Sequence, residues 1–233
     1  MNVIITGASK GIGKALATVF AREGAHLYLC ARNEVSLYNT VAELQTAYPE
    51  CRVYAKAFDV SKKDEAVAFA NWVLSHISAV DILINNAGQY LPGNVHNEAD
   101  GILEEMLAVN LYSAYHISRK LIPVMVAAKC GHIFNICSIA SLQSYANGGS
   151  YSVSKFALLG FTKNLREELK PHHIKVTAVL PGAVMSDSWG DFDNSTKRIM
   201  EAGDVAEMVL AASKLSPQAV VEDIVLRPQL GDL

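Results

Sequence analysis

Charge is scarce in this chain: Asp, Glu, Lys and Arg make up 18% of it, against roughly 25% in average soluble domains. What charge there is nearly cancels, with 20 Lys and Arg against 23 Asp and Glu and a net charge of -3. Mixed signs near neutrality exclude the basic footprint by which proteins hold a phosphate backbone, so no nucleic-acid partner is expected. Long apolar runs are missing as well. The longest, such as residues 121–128, fall far short of the roughly 20 residues that cross a bilayer, and no membrane partner is expected. Cysteine is sparse, at positions 30, 51, 130 and 137. No C-x-x-C spacing occurs, so no metal site is read, and the four are expected to be small buried apolar side chains rather than disulfides. The chain starts without a basic leader or cleavage signal, Met1 leading at once into Val3-Ile4-Ile5, and a cytoplasmic location is expected. No linker, repeat or low-complexity tract divides residues 1–233, which points to one domain.

What is present is a 51% apolar composition arranged in alternation. Short β-branched runs at residues 3–6, 26–30, 52–57, 81–84, 132–136, 175–179 and 223–226 are separated by amphipathic stretches at 11–23, 34–47, 62–78, 99–128, 151–170 and 203–214. Near-continuous apolar strands between helices must be buried on both faces, so the expected fold is α/β. It is a Rossmann-like, doubly wound, seven-stranded parallel sheet with helices on both sides. Residues 185–200, with Trp189, Gly190 and several Asp and Asn, break the pattern and form a candidate substrate lid. Ligands of such sheets bind beyond the carboxyl ends of the strands; the residues that matter should follow strand ends.

The first strand ends in Thr6-Gly7-Ala8-Ser9-Lys10-Gly11-Ile12-Gly13 and runs into a helix, the context a dinucleotide loop requires. Gly7 permits a tight turn, Gly11 a close approach of backbone to pyrophosphate and Gly13 close helix packing, with free N–H groups offered to the anion. The second strand ends at Cys30-Ala31-Arg32-Asn33. The acid that would hold an NAD ribose is missing, and Arg32 with Lys10 can converge on a 2′-phosphate, or both can be solvated surface cations. This predicts NADP(H) in preference to NAD(H). Phe58-Asp59-Val60 sets a carboxylate where an adenine amino group can donate, or where it caps the following helix. Asn86, Ala87 and Gly88, in the run Asn85 to Gly88, are small or amide-bearing and let a ribose lie against backbone. Asn110 interrupts an apolar helix and is either a satisfied core amide or part of a polar network. Tyr151-Ser-Val-Ser-Lys155 puts phenol and ammonium one turn apart, with Ser138 past the fifth strand able to face them. A free phenol titrates near 10, and a nearby cation favours phenolate.

With T-G-x-x-x-G-x-G, N-N-A-G, helix Asn, Ser, Y-x-x-x-K and P-G segments in order, the chain resembles the classical short-chain dehydrogenase/reductase family along essentially its whole length. The resemblance implies that Tyr151 is the general acid/base, that Lys155 lowers its pKa and binds the nicotinamide ribose, that Ser138 binds the substrate oxygen, and that Asn110 holds a relay water. Pro181, Gly182, Val184 and Ser186 match the segment that contacts nicotinamide, Ser186 standing where Thr is usual. The family's V-D-G-G ending is absent. The expected activity is hydride transfer between NADP(H) and a small carbonyl or alcohol substrate by a homodimer or homotetramer. The alternatives are an epimerase or lyase on the same fold, or an NADP(H) sensor without turnover.

Overall fold

The computed structural model describes residues 1–185 and 192–232. Strands and helices alternate as β1 (Asn2–Thr6), α1 (Gly11–Arg22), β2 (His26–Ala31), α2 (Glu34–Ala47), β3 (Val53–Ala57), α3 (Lys63–Leu74), β4 (Ile82–Asn85), α4 (Ile102–Leu107), α5 (Ser113–Ala128), β5 (His132–Ile136), α6 (Gly149–Leu169), β6 (Lys175–Pro181), α7 (Ala202–Ser213) and β7 (Asp223–Leu226). The seven strands form one parallel sheet in the order β3-β2-β1-β4-β5-β6-β7. This is the doubly wound, Rossmann-like α/β fold that the sequence predicts. Strand order reverses between β1 and β4, and a crevice at their carboxyl ends follows from that reversal.

The period of two along β1 explains why both faces are covered. Val3 and Ile5 pack with α1, α2 and α7 through Leu16, Phe20, Leu37 and Val209. Ile4, between them, packs on the other face with α3, α5 and α6 through Phe69, Ile117, Leu121 and Leu165. All these side chains are buried, so a polar substitution on either face of β1 leaves an unpaired group in the core.

Two expectations are corrected. The stretch at 99–128 is not one helix: α4 and α5 are joined by a π-helical segment, Ala108–Tyr112, and Asn110 sits buried in it. Such bulges concentrate at functional sites because they re-aim side chains. The cysteines are not all buried. Cys30, Cys51 and Cys137 are, but Cys130, in the turn between α5 and β5, is exposed. Among the described residues no helix is long and apolar enough to cross a membrane.

Candidate active site

The cradle at the end of β1 is made of backbone held by a few side chains. Gly7 (φ +65°) and Gly11 (φ +52°) occupy the left-handed region, which L side chains enter at a steric cost. A Cβ on Gly13 would lie 2.1 Å from the Gly7 carbonyl oxygen, so only glycine lets α1 pack so close. Asn86 closes the cradle from β4: its Nδ2 donates to the Thr6 and Gly7 carbonyls at 2.8 and 3.1 Å. Thr6 Oγ1 accepts the amides of Asn86 and Ala87 at 3.0 and 2.9 Å. Asn86 therefore acts as a clamp on the glycine loop, a use that its sequence context did not disclose. Ser9 ties the loop to α2 by accepting from Thr40 Oγ1 at 3.0 Å. Ile12 and Ala87 pack against the core clusters on either face.

The start of α1 is left open to an anion. Its N-cap residue, Lys10, makes no side-chain capping bond, and the first turn carries no acid. Leading N–H groups and dipole are thus not met by a carboxylate of the helix's own first turn. Arg32 is exposed at the end of β2 and close enough to Asp59 to help hold that carboxyl below its ordinary range, although two bonds from Ser61 contribute more against burial. Asp59 Oδ1 accepts the Ser61 amide and hydroxyl at 3.3 and 2.6 Å, a turn ahead of α3 and not a cap on it, since the N-cap residue of α3 is Lys62 and no side chain caps that helix. Val60 is buried beside it.

On the other side of the crevice, Ser138 begins a 3₁₀ turn (Ile139–Ser141) with a reciprocal capping box to Ser141. Its hydroxyl accepts the Ala140 amide at 3.1 Å and pairs with the Tyr151 phenol. Tyr151 lies in the first turn of α6 and Lys155 in the next. Lys155 is 5% exposed, donates to the Ile136 carbonyl at 2.8 Å, and has its Nζ 5.8 Å from the Tyr151 ring centre. Burial pushes its ammonium down to about 8. Burial also raises the phenol of Tyr151, and the bond from Ser138 works against it. The expected downward pull of Lys155 on that phenol is thus not the dominant influence in the protein as it stands; desolvation wins and Ser138 is the counterweight.

Asn110 joins the two sides. Oδ1 accepts the Gln89 amide at 2.8 Å, while Nδ2 donates to the Gln89 carbonyl at 3.0 Å and to Ser154 Oγ at 2.9 Å. A Cβ on Gly88 would lie 3.1 Å from Asn110 Oδ1 and 3.5 Å from Lys155 Nζ, so Gly88 leaves room for both groups. Beneath lies a buried relay absent from the sequence reading: Asn85 Nδ2 donates to Asn135 Oδ1 at 2.8 Å, and Asn135 Nδ2 to Thr162 Oγ1 at 2.9 Å. These polar residues stand inside apolar runs, and that interruption is the signal that could have found them. Tyr90, also unpredicted, packs edge-on against Tyr151 with ring centres 4.9 Å apart.

Pro181 ends β6, and Gly182 donates its amide to Leu226 at 2.8 Å. Val184, buried, is bridged to Met200, which brings together the two ends of the expected lid; Ser186 and Trp189 lie outside the described residues. The C-terminal residues hold this base, since Arg198 donates to the carbonyls of Gly231 and Asp232. A cavity of about 630 Å³ lined by His96, Tyr145, Val153 and Phe156, among others, opens beside α6. At 3.6 residues per turn, Val153 and Phe156 point away from Tyr151, while Tyr145, also in the lining, interacts with Tyr90 and Tyr151.

The sequence matches the family described as short chain dehydrogenase over residues 1–197. It is 30% identical to the sepiapterin reductase of Chlorobaculum tepidum, covering 99% of this chain and 97% of that protein. A metagenomic short-chain oxidoreductase solved in complex with NADP superposes with a TM-score of 0.86 at 32% identity, over 98% of this chain and 97% of the other. An alcohol dehydrogenase from the archaeon Thermococcus sibiricus, complexed with 5-hydroxy-NADP, gives 0.92 at 26% identity over 100% and 98%. Sequence match and shared architecture run along the same residues, and the chain belongs to the short-chain dehydrogenase family of oxidoreductases.

Proposed function

We propose that the protein is an NADP(H)-dependent reductase or dehydrogenase that interconverts a small carbonyl compound and its alcohol. The observation that carries this reading is the meeting of Tyr151, Ser138 and Lys155 across one crevice from a glycine cradle with an uncapped helix start. The cradle fits a dinucleotide: Gly7, Ser9, Gly11, Ile12 and Gly13 offer backbone to the pyrophosphate, Lys10 and Arg32 charge to a 2′-phosphate, and Asp59 with Val60 a wall for adenine. Ala87, Gly88, Lys155, Pro181, Gly182 and Val184 border the nicotinamide end. Bound there, the cofactor supplies or accepts the hydride.

The chain's own part is positioning and proton control. Ser138 hydrogen-bonds the substrate oxygen, and Tyr151 gives that oxygen its proton in reduction and takes it back in oxidation. Lys155 holds charge beside the phenol, and Asn110 ties Gln89 to α6 so that the relay toward Lys155 keeps its geometry. One domain carries both sites, and residues 185–200 are the expected substrate lid, of which residues 186–191 lie outside the described residues. The cations Lys10 and Arg32 at the cradle support NADP(H) over NAD(H), by at least about tenfold at 1.4 kcal/mol per decade. Exposed Tyr112, Tyr115, Val153 and Phe156 on α5, α6 and the π segment support a homodimer or homotetramer joined there.

The test is a panel of ketones, aldehydes, quinones and acyl thioesters with NADPH, followed at the nicotinamide absorbance band. Oxidation of NADPH by one of these classes is expected. Tight NADPH binding with no turnover across the panel would instead make the protein a sensor.

A further inference from the structure

We propose that Glu98 is a positioning residue for Tyr151, acting as a helix cap supplied from a distant loop; the proposal rests on the reading of Tyr151 as the proton donor. Tyr151 is the third residue of α6, after Gly149 and Ser150. First turns are where helices fray, because their leading N–H groups lack intrahelical partners. This one is weak by composition: it follows Gly148 and starts on Gly149, and the N-cap residue Gly148 provides no side-chain cap. A proton donor with that start would wander unless something else held it.

Glu98 does so from 52 residues away. Its Oε2 accepts the Ser150 amide at 3.3 Å, and its Oε1 accepts the Ser150 hydroxyl. Ser150 itself is buried. The carboxylate fits because glycines surround it. A Cβ on Gly149 would lie 2.9 Å from Glu98 Oε2 and 2.6 Å from the Gly93 carbonyl oxygen, and one on Gly93 would lie 3.3 Å from the same Oε2. A negative charge at a helix N-terminus is favourable in its own right.

The contact belongs to a strap. Asn94 and Asn147 exchange bonds at 3.1 Å, Nδ2 of Asn94 donating to Oδ1 of Asn147 and the Asn147 amide donating to Oδ1 of Asn94. Gly93 donates to the Asn147 carbonyl at 3.1 Å, and the Glu98 amide turns back to the Asn94 carbonyl at 2.9 Å. The same loop begins at Gln89 and Tyr90, which meet Asn110 and the Tyr151 ring. It therefore links the end of β4 to the start of α6, and Glu98 is its terminal fastening.

The experiment compares Glu98→Ala, Glu98→Gln and Ser150→Ala in the full chain, reading kcat, the KM for NADPH, and amide exchange over residues 149–155. Misplacing a reacting group by about 1 Å costs on the order of 100-fold, so Glu98→Ala is expected to lower kcat by about 10- to 100-fold. The KM for NADPH should stay within about twofold, since the cradle is untouched. Exchange at the start of α6 should accelerate by at least about tenfold while β1 and β4 are unaffected. Glu98→Gln keeps an acceptor oxygen and should recover most of kcat. Ser150→Ala, a milder change that decides the matter if Glu98→Ala does not fold, should give a several-fold loss, and Glu98→Ala should add little to it. An active wild type whose variants keep kcat and amide protection within about twofold, with or without a lower Tm, overturns the role of Glu98. A wild type inactive on every carbonyl overturns the reading of Tyr151 as proton donor instead.

Discussion

The two walls of the crevice are built on opposite plans. The cradle after β1 is local: eight consecutive residues, three of them glycine, present backbone, and Thr6 and Asn86 hold it with short bonds between adjacent strands. The wall carrying Tyr151 is assembled from far-apart pieces, with Asn110 reaching Gln89 and Ser154, Glu98 reaching Ser150, and Lys155 reaching Ile136. A wall of backbone serves a ligand whose shape is fixed, since carbonyl and N–H groups cannot swing away. A wall of side chains permits the pKa control that proton transfer needs, because burial and partners can be set group by group.

This contrast can be broken from either side. Tyr151→Phe removes the transferable proton and leaves the cradle intact, so turnover should fall by about 10² to 10⁴ while the NADPH dissociation constant is unchanged. Retained turnover would place the donor elsewhere. Lys155 serves both walls, so Lys155→Met should lower turnover by roughly 100-fold and weaken NADPH binding together. The same change should stabilise the fold. Because burial lowers Lys155 to about 8, the cost of the buried ammonium is fully present below pH 8. It fades as pH climbs toward 10.5, where only the unfolded chain still holds the proton. A Tm gain on the order of a few degrees at pH 7, vanishing by pH 10.5, is expected in a melting series; a gain that grows with pH would contradict it.

The reverse dissection is Gly13→Ala. Its Cβ meets the Gly7 carbonyl at 2.1 Å, and overpacking of about 1–3 kcal/mol should raise the NADPH dissociation constant about 10- to 100-fold in a fluorescence titration, with kcat at saturation nearly kept. Arg32→Asp refines the picture within the cradle. It should erase or invert an NADPH preference of about tenfold by setting a like charge against the 2′-phosphate. That preference should also weaken with salt in the parent protein, since the site is open to solvent; equal use of both cofactors by the parent would remove Arg32 from its role.

The difference between the walls also decided what could be read without coordinates. Gly7, Gly11 and Gly13 announce themselves because a local backbone need has a local spacing, and alternating apolar runs disclosed all seven strands. Tyr151, Lys155 and Ser138 were legible as types in order, but their balance was not. That Ser138, and not Lys155, is the main counterweight to burial of the phenol depends on depth and orientation. The π segment at Asn110 escaped because one extra residue in a helical turn leaves the hydrophobic period of the flanking helices almost unchanged. Glu98 escaped more completely. It stands in a polar loop, and nothing near it in the chain marks its partner at Ser150.

The order of strands in the sheet has a consequence in time. During synthesis, β1, β2 and β3 can pair as soon as they emerge, but the second neighbour of β1 is β4. Roughly 25 residues separate β3 from β4, and at translation rates of about 5–20 residues per second the inner edge of β1 stays unpaired for roughly a further 1–5 seconds after β3 is made. That edge carries Val3, Ile4 and Ile5 and, uncovered, is a template for pairing with any other extended chain. An interior strand of the finished sheet is thus an edge strand in the nascent chain, and conditions that slow synthesis between residues 57 and 82 lengthen the interval in which two half-made copies can meet.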